Sequence, residues 1–172
     1  MSLRQRKLHR ETPAVVDLWD GDKPKDEEDF SNYVKRHLEE DLRNLGVLAA
    51  REAEVSRGSE TDIYVAAIAH NALSGRHTKI NVVVEAKGCW HPQLQGAMKN
   101  QLKERYLAQG GCGLYLVGWF LCEKWRQSND YRYERTPKWT LEKARTFFGE
   151  QAELLSDGNT NLKAYVLDAG LR

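Results

Sequence analysis

The stretch KINVVVEAK, residues 79–87, decides how the rest of the chain is organised. Its run of β-branched residues predicts a strand in the middle of a sheet, covered on both faces by other elements. Glu85 and Lys87 come at the end of this strand. Because residues two apart in a strand share a face, their side chains project together. A pair of opposite charges is therefore expected where a buried strand ends.

A second β-rich run, residues 61–68, precedes this strand, and the polar residues between the two predict a hairpin. With the loop at residues 69–78, Tyr64 lies opposite Val83 and Asp62 lies opposite Glu85. Directly opposed side chains have Cβ atoms roughly 5 Å apart. Two carboxylates this close repel each other and lose hydration against an apolar sheet, so the arrangement is unfavourable without a cation.

A divalent metal ion would remove that repulsion. Mg²⁺ is held by oxygen ligands, usually one or two carboxylates with waters and substrate phosphate oxygens. Lys87 would then stand beside the metal, where it could orient a water, help to deprotonate it, or neutralise charge that develops on a phosphate. The inferred chemistry is metal-assisted attack of water on a phosphodiester. The simpler alternative is a strand-end ion pair, with Asp62 as a turn or capping residue.

The remaining pattern predicts an α/β domain with a mixed central sheet flanked by helices. Residues 1–25 are interpreted as an N-terminal arm or linker, and residues 26–172 as the domain. Within the domain we expect a helix over 26–45, a short strand over 47–56, a helix over 92–108, a strand over 113–120, a loop over 123–138, a helix over 141–155 capped by Thr140, and a strand over 162–167.

This order, with Asp62 and then Glu85-Ala86-Lys87 after a hydrophobic strand, resembles the PD-(D/E)XK nuclease superfamily. The resemblance covers residues 26–120 and implies a restriction-endonuclease-like α-β-β-β-α-β core, to which a C-terminal helix and strand are added. It implies that Asp62, Glu85 and the backbone carbonyl of Ala86 bind the metal and that Lys87 is the catalytic lysine. The chain departs from the pattern at Thr61, where many members have proline.

The helix after the motif invites a further comparison. The segment that begins at Gln101 resembles the Q-x-x-x-Y element of RecB-type members, which implies that Gln101 belongs to the site. The tyrosine comes one place late: Arg105 stands where that element has tyrosine, and Tyr106 is expected to be core. Many members also use a glutamate from the first helix. Three acids are available near its end (Glu39, Glu40 and Asp41), and spacing does not choose among them.

The near-zero net charge conceals a segregated chain. The 26 basic and 25 acidic residues leave +1, but residues 61–172 have fifteen basic and eleven acidic residues, a local excess that suits a polyanionic partner. The basic residues expected to contact nucleic acid are Lys99, Lys103, Arg105 and Arg132. No apolar run is long enough for a membrane span, and the expected compartment is the cytoplasm.

Together these features predict a nuclease that depends on Mg²⁺ or Mn²⁺ and hydrolyses phosphodiester bonds, with DNA favoured over RNA. By resemblance it would be an effector domain in restriction, repair or phage defence. Such an effector works within a larger parent chain, with an NTPase or sensor partner, or as a homodimer. The alternative is a catalytically silent module on the same fold that binds nucleic acid or another protein.

Overall fold

The structure is a computed structural model that describes residues 14–42, 47–56, 59–71 and 76–172. Its elements, in chain order, are a 3₁₀ turn (Ala14–Leu18), β1 (Trp19–Asp20), β2 (Lys23–Pro24), α1 (Glu27–Leu42), β3 (Val47–Ser56), β4 (Ser59–Asn71), β5 (Arg76–Gly88), the π-helix α2 (Met98–Tyr106), β6 (Gly111–Trp119), α3 (Glu123–Arg126), α4 (Tyr131–Arg135), α5 (Leu141–Leu155) and β7 (Thr160–Asp168). In these ranges no helix is both long and apolar enough to cross a membrane.

The five longer strands form one mixed sheet in the order β3-β4-β5-β6-β7. Neighbours are antiparallel from β3 to β5 and parallel from β5 to β7. The β4–β5 hairpin has the expected register, with Tyr64 opposite Val83 and Ala66 opposite Asn81. The predicted α/β class and mixed sheet are confirmed, and β5 is the point where the pairing changes direction.

Helices cover both faces of the sheet. Phe30 of α1 packs over Gly118 of β6, where an added Cβ would come within 3.0 Å of the ring. On the opposite face Tyr115 of β6 contacts Phe148 of α5, with ring centroids 5.6 Å apart, and Leu102 of α2 is fully buried. Because Glu85 and Lys87 pair with Tyr115 and Val117 across the parallel ladder, they belong to the α2–α5 face.

The last helix and strand follow the sequence pattern closely. Helix α5 has the expected bounds, and the Thr140 side chain accepts a hydrogen bond from the Lys143 backbone N–H at 3.1 Å.

Of the helix predicted over 26–45, residues 43–45 lie outside the described ranges, as do residues 72–75 of the hairpin loop.

Two predictions were wrong in detail. The expected loop over 123–138 contains α3 and α4, since Trp125 anchors the segment in the core and the Asp130 side chain caps α4. The expected helix over 92–108 begins as a series of turns and continues as the π-helix α2. The three- and four-residue spacing of its apolar side chains cannot tell these helix types apart.

The segment before α1 packs against the domain. Val15 and Leu18 are buried, and Val16 is exposed. Trp19 is buried and donates from Nε1 to the carbonyl of Ala169 at 2.9 Å. The β1–β2 hairpin therefore lies beside the end of the described chain.

We predict that Phe148→Ala lowers the free energy of unfolding by about 3–5 kcal/mol, because it removes a fully buried ring and leaves a cavity. Leu154→Ala, on the same helix at a position 85% exposed, should change it by no more than about 0.5 kcal/mol. Urea unfolding of both variants measures the difference. Similar losses in both would contradict the packing of α5 described above.

Candidate active site

Three carboxylates surround one ammonium group where β5 ends. Lys87 Nζ lies 2.7 Å from Glu85 Oε1, 3.1 Å from Glu27 Oε1 and 3.6 Å from Asp62 Oδ2. The side chains of Glu85 and Lys87 are 1% and 7% exposed, while those of Asp62 and Glu27 are 31% and 27% exposed. A buried ion pair thus lies under two carboxylates that face solvent.

Asp62 is positioned where the hairpin ladder stops. The described pairing between β4 and β5 ends at Ile63 and Val84, one position before Asp62 and Glu85 would pair. Asp62 Oδ2 instead accepts a hydrogen bond from the backbone N–H of Ala86 at 2.8 Å. Because the N–H and C=O of one strand residue point to the same side, the Ala86 carbonyl is directed toward Asp62. The structure therefore brings the expected pair of acids and this carbonyl to one sheet end.

The first-helix acid at this cluster is Glu27, which the sequence analysis did not single out. Asp26 caps α1 by accepting from Asp29 N at 2.8 Å, so Glu27 stands in the first turn. Its second oxygen, Oε2, accepts from the backbone N–H of Gly88 at 3.1 Å. The sequence feature that could have indicated Glu27 is the acidic start of a helix expected to pack on the sheet.

The acids near the end of that helix do not reach this point. At 1.5 Å per residue, position 39 lies about 18 Å along the helix axis from Glu27. Glu39 pairs with Lys35 at 3.5 Å, and Glu40 and Asp41 are exposed. Glu39, Glu40 and Asp41 therefore lie outside this cluster.

Burial and charge act on the pair in opposite ways. Burial, together with repulsion from Asp62, raises the pKa of Glu85 to about 7, although Lys87 opposes the shift. Burial alone would lower the pKa of Lys87, but Glu85, Asp62 and Glu27 outweigh it and hold that pKa above its usual range. Glu85 Oε2 is buried and has no hydrogen-bond partner among the described residues. An unsatisfied buried carboxylate oxygen of this kind is costly.

The π-helix changes which residues of α2 share a side. In an α-helix the fifth residue on lies about 140° around the axis, whereas the i→i+5 repeat of a π-helix brings it back toward the same side. The bond from Leu107 N to Leu102 O, 3.0 Å long, shows this repeat. Gln101 and Tyr106, five residues apart, are related in the same way.

These two residues relate differently to the acids. Tyr106 packs against the core, as expected, but its pKa is raised by burial and next by the charge of Glu85, so it lies near the site. Gln101 donates from Nε2 to Gln93 Oε1 at 2.7 Å. The described hydrogen bonds thus tie Gln101 to the preceding turn and give it no bond to the acids or to Lys87.

His91, in the turn after β5, is a further neighbour of the cluster. Burial lowers its pKa, against the charge of Glu27. Its Nδ1 accepts a hydrogen bond from the backbone N–H of Gln93 at 3.1 Å, so the neutral ring carries its proton on Nε2. His91 therefore offers an N–H donor beside the acids.

The four basic residues expected to contact nucleic acid are not brought together. Lys103 is held by Asp157 at 2.8 Å and by the Leu155 carbonyl at 2.7 Å, between α2 and α5. All three guanidinium nitrogens of Arg132 donate within the protein. Lys99 is exposed with Glu104 at 3.9 Å, and the guanidinium of Arg105 lies 5.5 Å from the centroid of the Tyr106 ring.

The donor set fits a hard divalent cation bound by few protein ligands. In the part of the chain that the structure describes, no three His, Cys, Asp or Glu side chains are arranged as ligands of one metal ion. Mg²⁺ needs only one or two carboxylates when waters and substrate oxygens complete its shell. Glu85 Oε2 is unpartnered, and both described contacts of Asp62 use Oδ2. Asp62 and Glu85, with the Ala86 carbonyl, are the residues that would hold it.

We predict that Lys87→Met destabilises the metal-free protein by about 3–5 kcal/mol at about pH 8, because it leaves the Glu85 carboxylate buried without its partner. The loss should be smaller at about pH 5, below the Glu85 pKa, where the carboxyl group is protonated. Lys99→Met, at a position 58% exposed, is the matched control. Urea unfolding at both pH values measures the effect, and a loss independent of pH would contradict the buried pair.

Comparison with known proteins adds no relative to this description. No family model, curated protein or solved structure matches the chain. The chemistry of the site must therefore be derived from its own side chains.

Proposed function

We propose that the chain is a metal-dependent nuclease that hydrolyses phosphodiester bonds in DNA. The observation that carries the proposal is the convergence of Asp62, Glu85 and Lys87 at one sheet end, with a buried carboxylate oxygen left unpartnered. With all three carboxylates ionised, the cluster carries two negative charges in excess, which a divalent cation would balance. One carboxylate would be enough to neutralise Lys87.

The order of elements supports the same proposal at the level of the fold. Counting from α1, the chain runs helix, three strands, helix, strand, which is the order of the restriction-endonuclease-like core. In this comparison β7 and α5 would be additions, and Asp62 and Glu85 would correspond to the two motif acids. The order of elements therefore supports the proposal alongside the motif.

When bound, Mg²⁺ or Mn²⁺ would polarise the scissile phosphoryl group and favour deprotonation of a water. Asp62 and Glu85 would hold the ion, and the Asp62–Ala86 hydrogen bond keeps the first of these carboxylates oriented. In hydrolysis the water gives up one proton to solvent and its oxygen forms the new P–O bond. The bond to the leaving sugar oxygen breaks, and that oxygen takes up a proton from solvent.

Lys87 supplies a fixed positive charge beside the reacting phosphate. Glu85 and Glu27, at 2.7 and 3.1 Å, hold Nζ in one place. Asp62 Oδ2, at 3.6 Å, lies beyond hydrogen-bond distance, so one of the three N–H donors of the ammonium group is left for a water or a phosphate oxygen. The role of Lys87 is to orient the attacking water and to stabilise negative charge on the phosphate oxygens. Glu27 anchors this arrangement by bridging Lys87 Nζ and the Gly88 backbone N–H.

The biological setting belongs to the proposal as well. An effector of restriction, repair or phage defence acts on DNA selected by a parent chain, an NTPase or sensor partner, or a second copy. The excess of basic over acidic residues within residues 61–172 agrees with a polyanionic substrate.

We predict that the protein cleaves DNA with Mg²⁺ and that Asp62→Asn or Lys87→Ala lowers the rate at least about 100-fold, because each removes a charge at the reacting phosphate. Supercoiled, linear and single-stranded DNA, and RNA of the same sequence, are compared with Mg²⁺ and with EDTA. Asp20→Asn and Lys163→Ala are exposed controls of matching type. Cleavage that persists in EDTA or in Asp62→Asn would refute the proposal, and binding without cleavage would favour the silent module.

Metal binding has a readout that does not depend on turnover. A ligand that binds only the folded state raises its stability by RT ln(1 + [L]/Kd). We therefore expect millimolar Mg²⁺ to raise the melting temperature of the wild type and of Asp20→Asn, but not of Asp62→Asn. Differential scanning fluorimetry over a Mg²⁺ titration measures it. An equal rise in the melting temperature of Asp62→Asn would show that the Asp62 carboxylate does not bind the metal.

A further inference from the structure

A groove of about 700 Å³ opens directly beside the carboxylate cluster. Its lining includes Glu27 and His91, Tyr131 and Arg135 of α4, and Lys23 of β2. The groove is partly open to solvent, so a segment of an extended chain suits it better than an enclosed small molecule.

The acids of this groove are already engaged within the protein. Asp130 forms an ion pair with Arg132 at 2.7 Å, Glu27 is bound to Lys87, and Asp26 caps α1. Lys23 and Arg135 are exposed, and neither has an acidic partner among the described residues. The cations left to a ligand are therefore these two, with the His91 Nε2–H as a neutral donor between them and the cluster.

Tyr131 is the aromatic element of the groove. Its ring is 66% exposed, and the Arg135 guanidinium lies 5.0 Å from the ring centroid, one helical turn on. With Arg135 on one side, the other side of the ring is available to a flat partner. Basic residues along a groove with an exposed aromatic ring are the combination that binds single-stranded nucleic acid.

Arg132 holds the α4 side of the groove in a fixed position. It donates to the carbonyl oxygens of Pro24 and Lys25, at 2.6 and 3.3 Å, and its guanidinium stacks 4.9 Å above the Trp90 ring. These contacts join α4 to the segment that leads into Glu27 and to the residue before His91. Arg132 is thus a positioning residue, and ligand contact falls to Arg135.

We propose that this groove binds a single-stranded segment of DNA next to the scissile phosphate. One base stacks on Tyr131, and Lys23, His91 and Arg135 contact backbone phosphates. A base inside a duplex has both faces covered by its neighbours and cannot stack on Tyr131, whereas the bases of a single strand or of a frayed end can. The inference rests on the proposed function, because it names the substrate class of that same site: single strands, or duplex ends that fray.

The experiment measures binding in EDTA, where no metal-dependent turnover interferes. Fluorescence anisotropy follows a labelled thymidine dodecamer and, separately, a labelled linear duplex of twelve base pairs, which has no unpaired loop. We expect Tyr131→Ala to weaken binding of the single strand about 5- to 100-fold and to change duplex binding little. Tyr131→Phe keeps the ring and should keep the affinity. Since Tyr131 is exposed, circular dichroism should show an unchanged fold.

Salt dependence tests the phosphate contact separately. For single strands, log K falls with log salt with a slope of about −0.7 for each phosphate neutralised. Arg135→Gln should therefore make the slope shallower by about 0.7. Lys163→Gln, an exposed lysine of β7 outside the groove lining, should leave it unchanged.

The outcomes separate this inference from the nuclease proposal. If the wild type cleaves DNA but Tyr131→Ala binds the single strand as well as the wild type does, the groove assignment is wrong and the nuclease stands. If Tyr131→Ala weakens single-strand binding but the wild type never cleaves, the groove stands and the nuclease is wrong. Equal losses on single strand and duplex, or no binding by the wild type, overturn the inference.

Discussion

The ion pair between Lys87 and Glu85 is the interaction on which this end of the molecule depends. Burying two ions costs several kcal/mol each unless their partners are well placed. The protein compensates by drawing Glu27 from α1 and Asp62 from β4 onto the same ammonium, so that one lysine fixes the relative position of a helix and two strands. The excess of negative charge that remains makes the cluster a candidate for binding a metal cation, in addition to stabilising the fold.

Much of the sheet could be predicted because its determinants are local. The hairpin register follows from where the polar loop interrupts two β-rich runs, and α5 follows from the Thr140 cap and a single apolar stripe. The short helices α3 and α4 could not be predicted in this way. Their positions depend on packing of Trp125 against Trp19 and Trp90 and on the hydrogen bonds from Arg132 to the carbonyls of Pro24 and Lys25, which are contacts with residues distant in the chain.

The candidate site was predictable to the extent that it lies on two adjacent strands. Asp62, Glu85 and Lys87 meet because a register and a two-residue alternation require it. Glu27 comes from another element, and only the packing of α1 brings its side chain to Gly88. The position of Tyr106 depends on the π-helix, whose i→i+5 repeat cannot be recognised from the spacing of apolar residues. Long-range packing and helix type thus account for what was missed.

The hydrogen bond between Trp19 and the carbonyl of Ala169 has a topological consequence. Two points 150 residues apart in the chain lie side by side, so the fold between them is nearly a closed loop. A short linker could join these points, and new termini could be opened in another surface connection, which makes the domain a candidate for circular permutation. For the same reason it could be inserted into a loop of another protein without separating the strands that carry the acids.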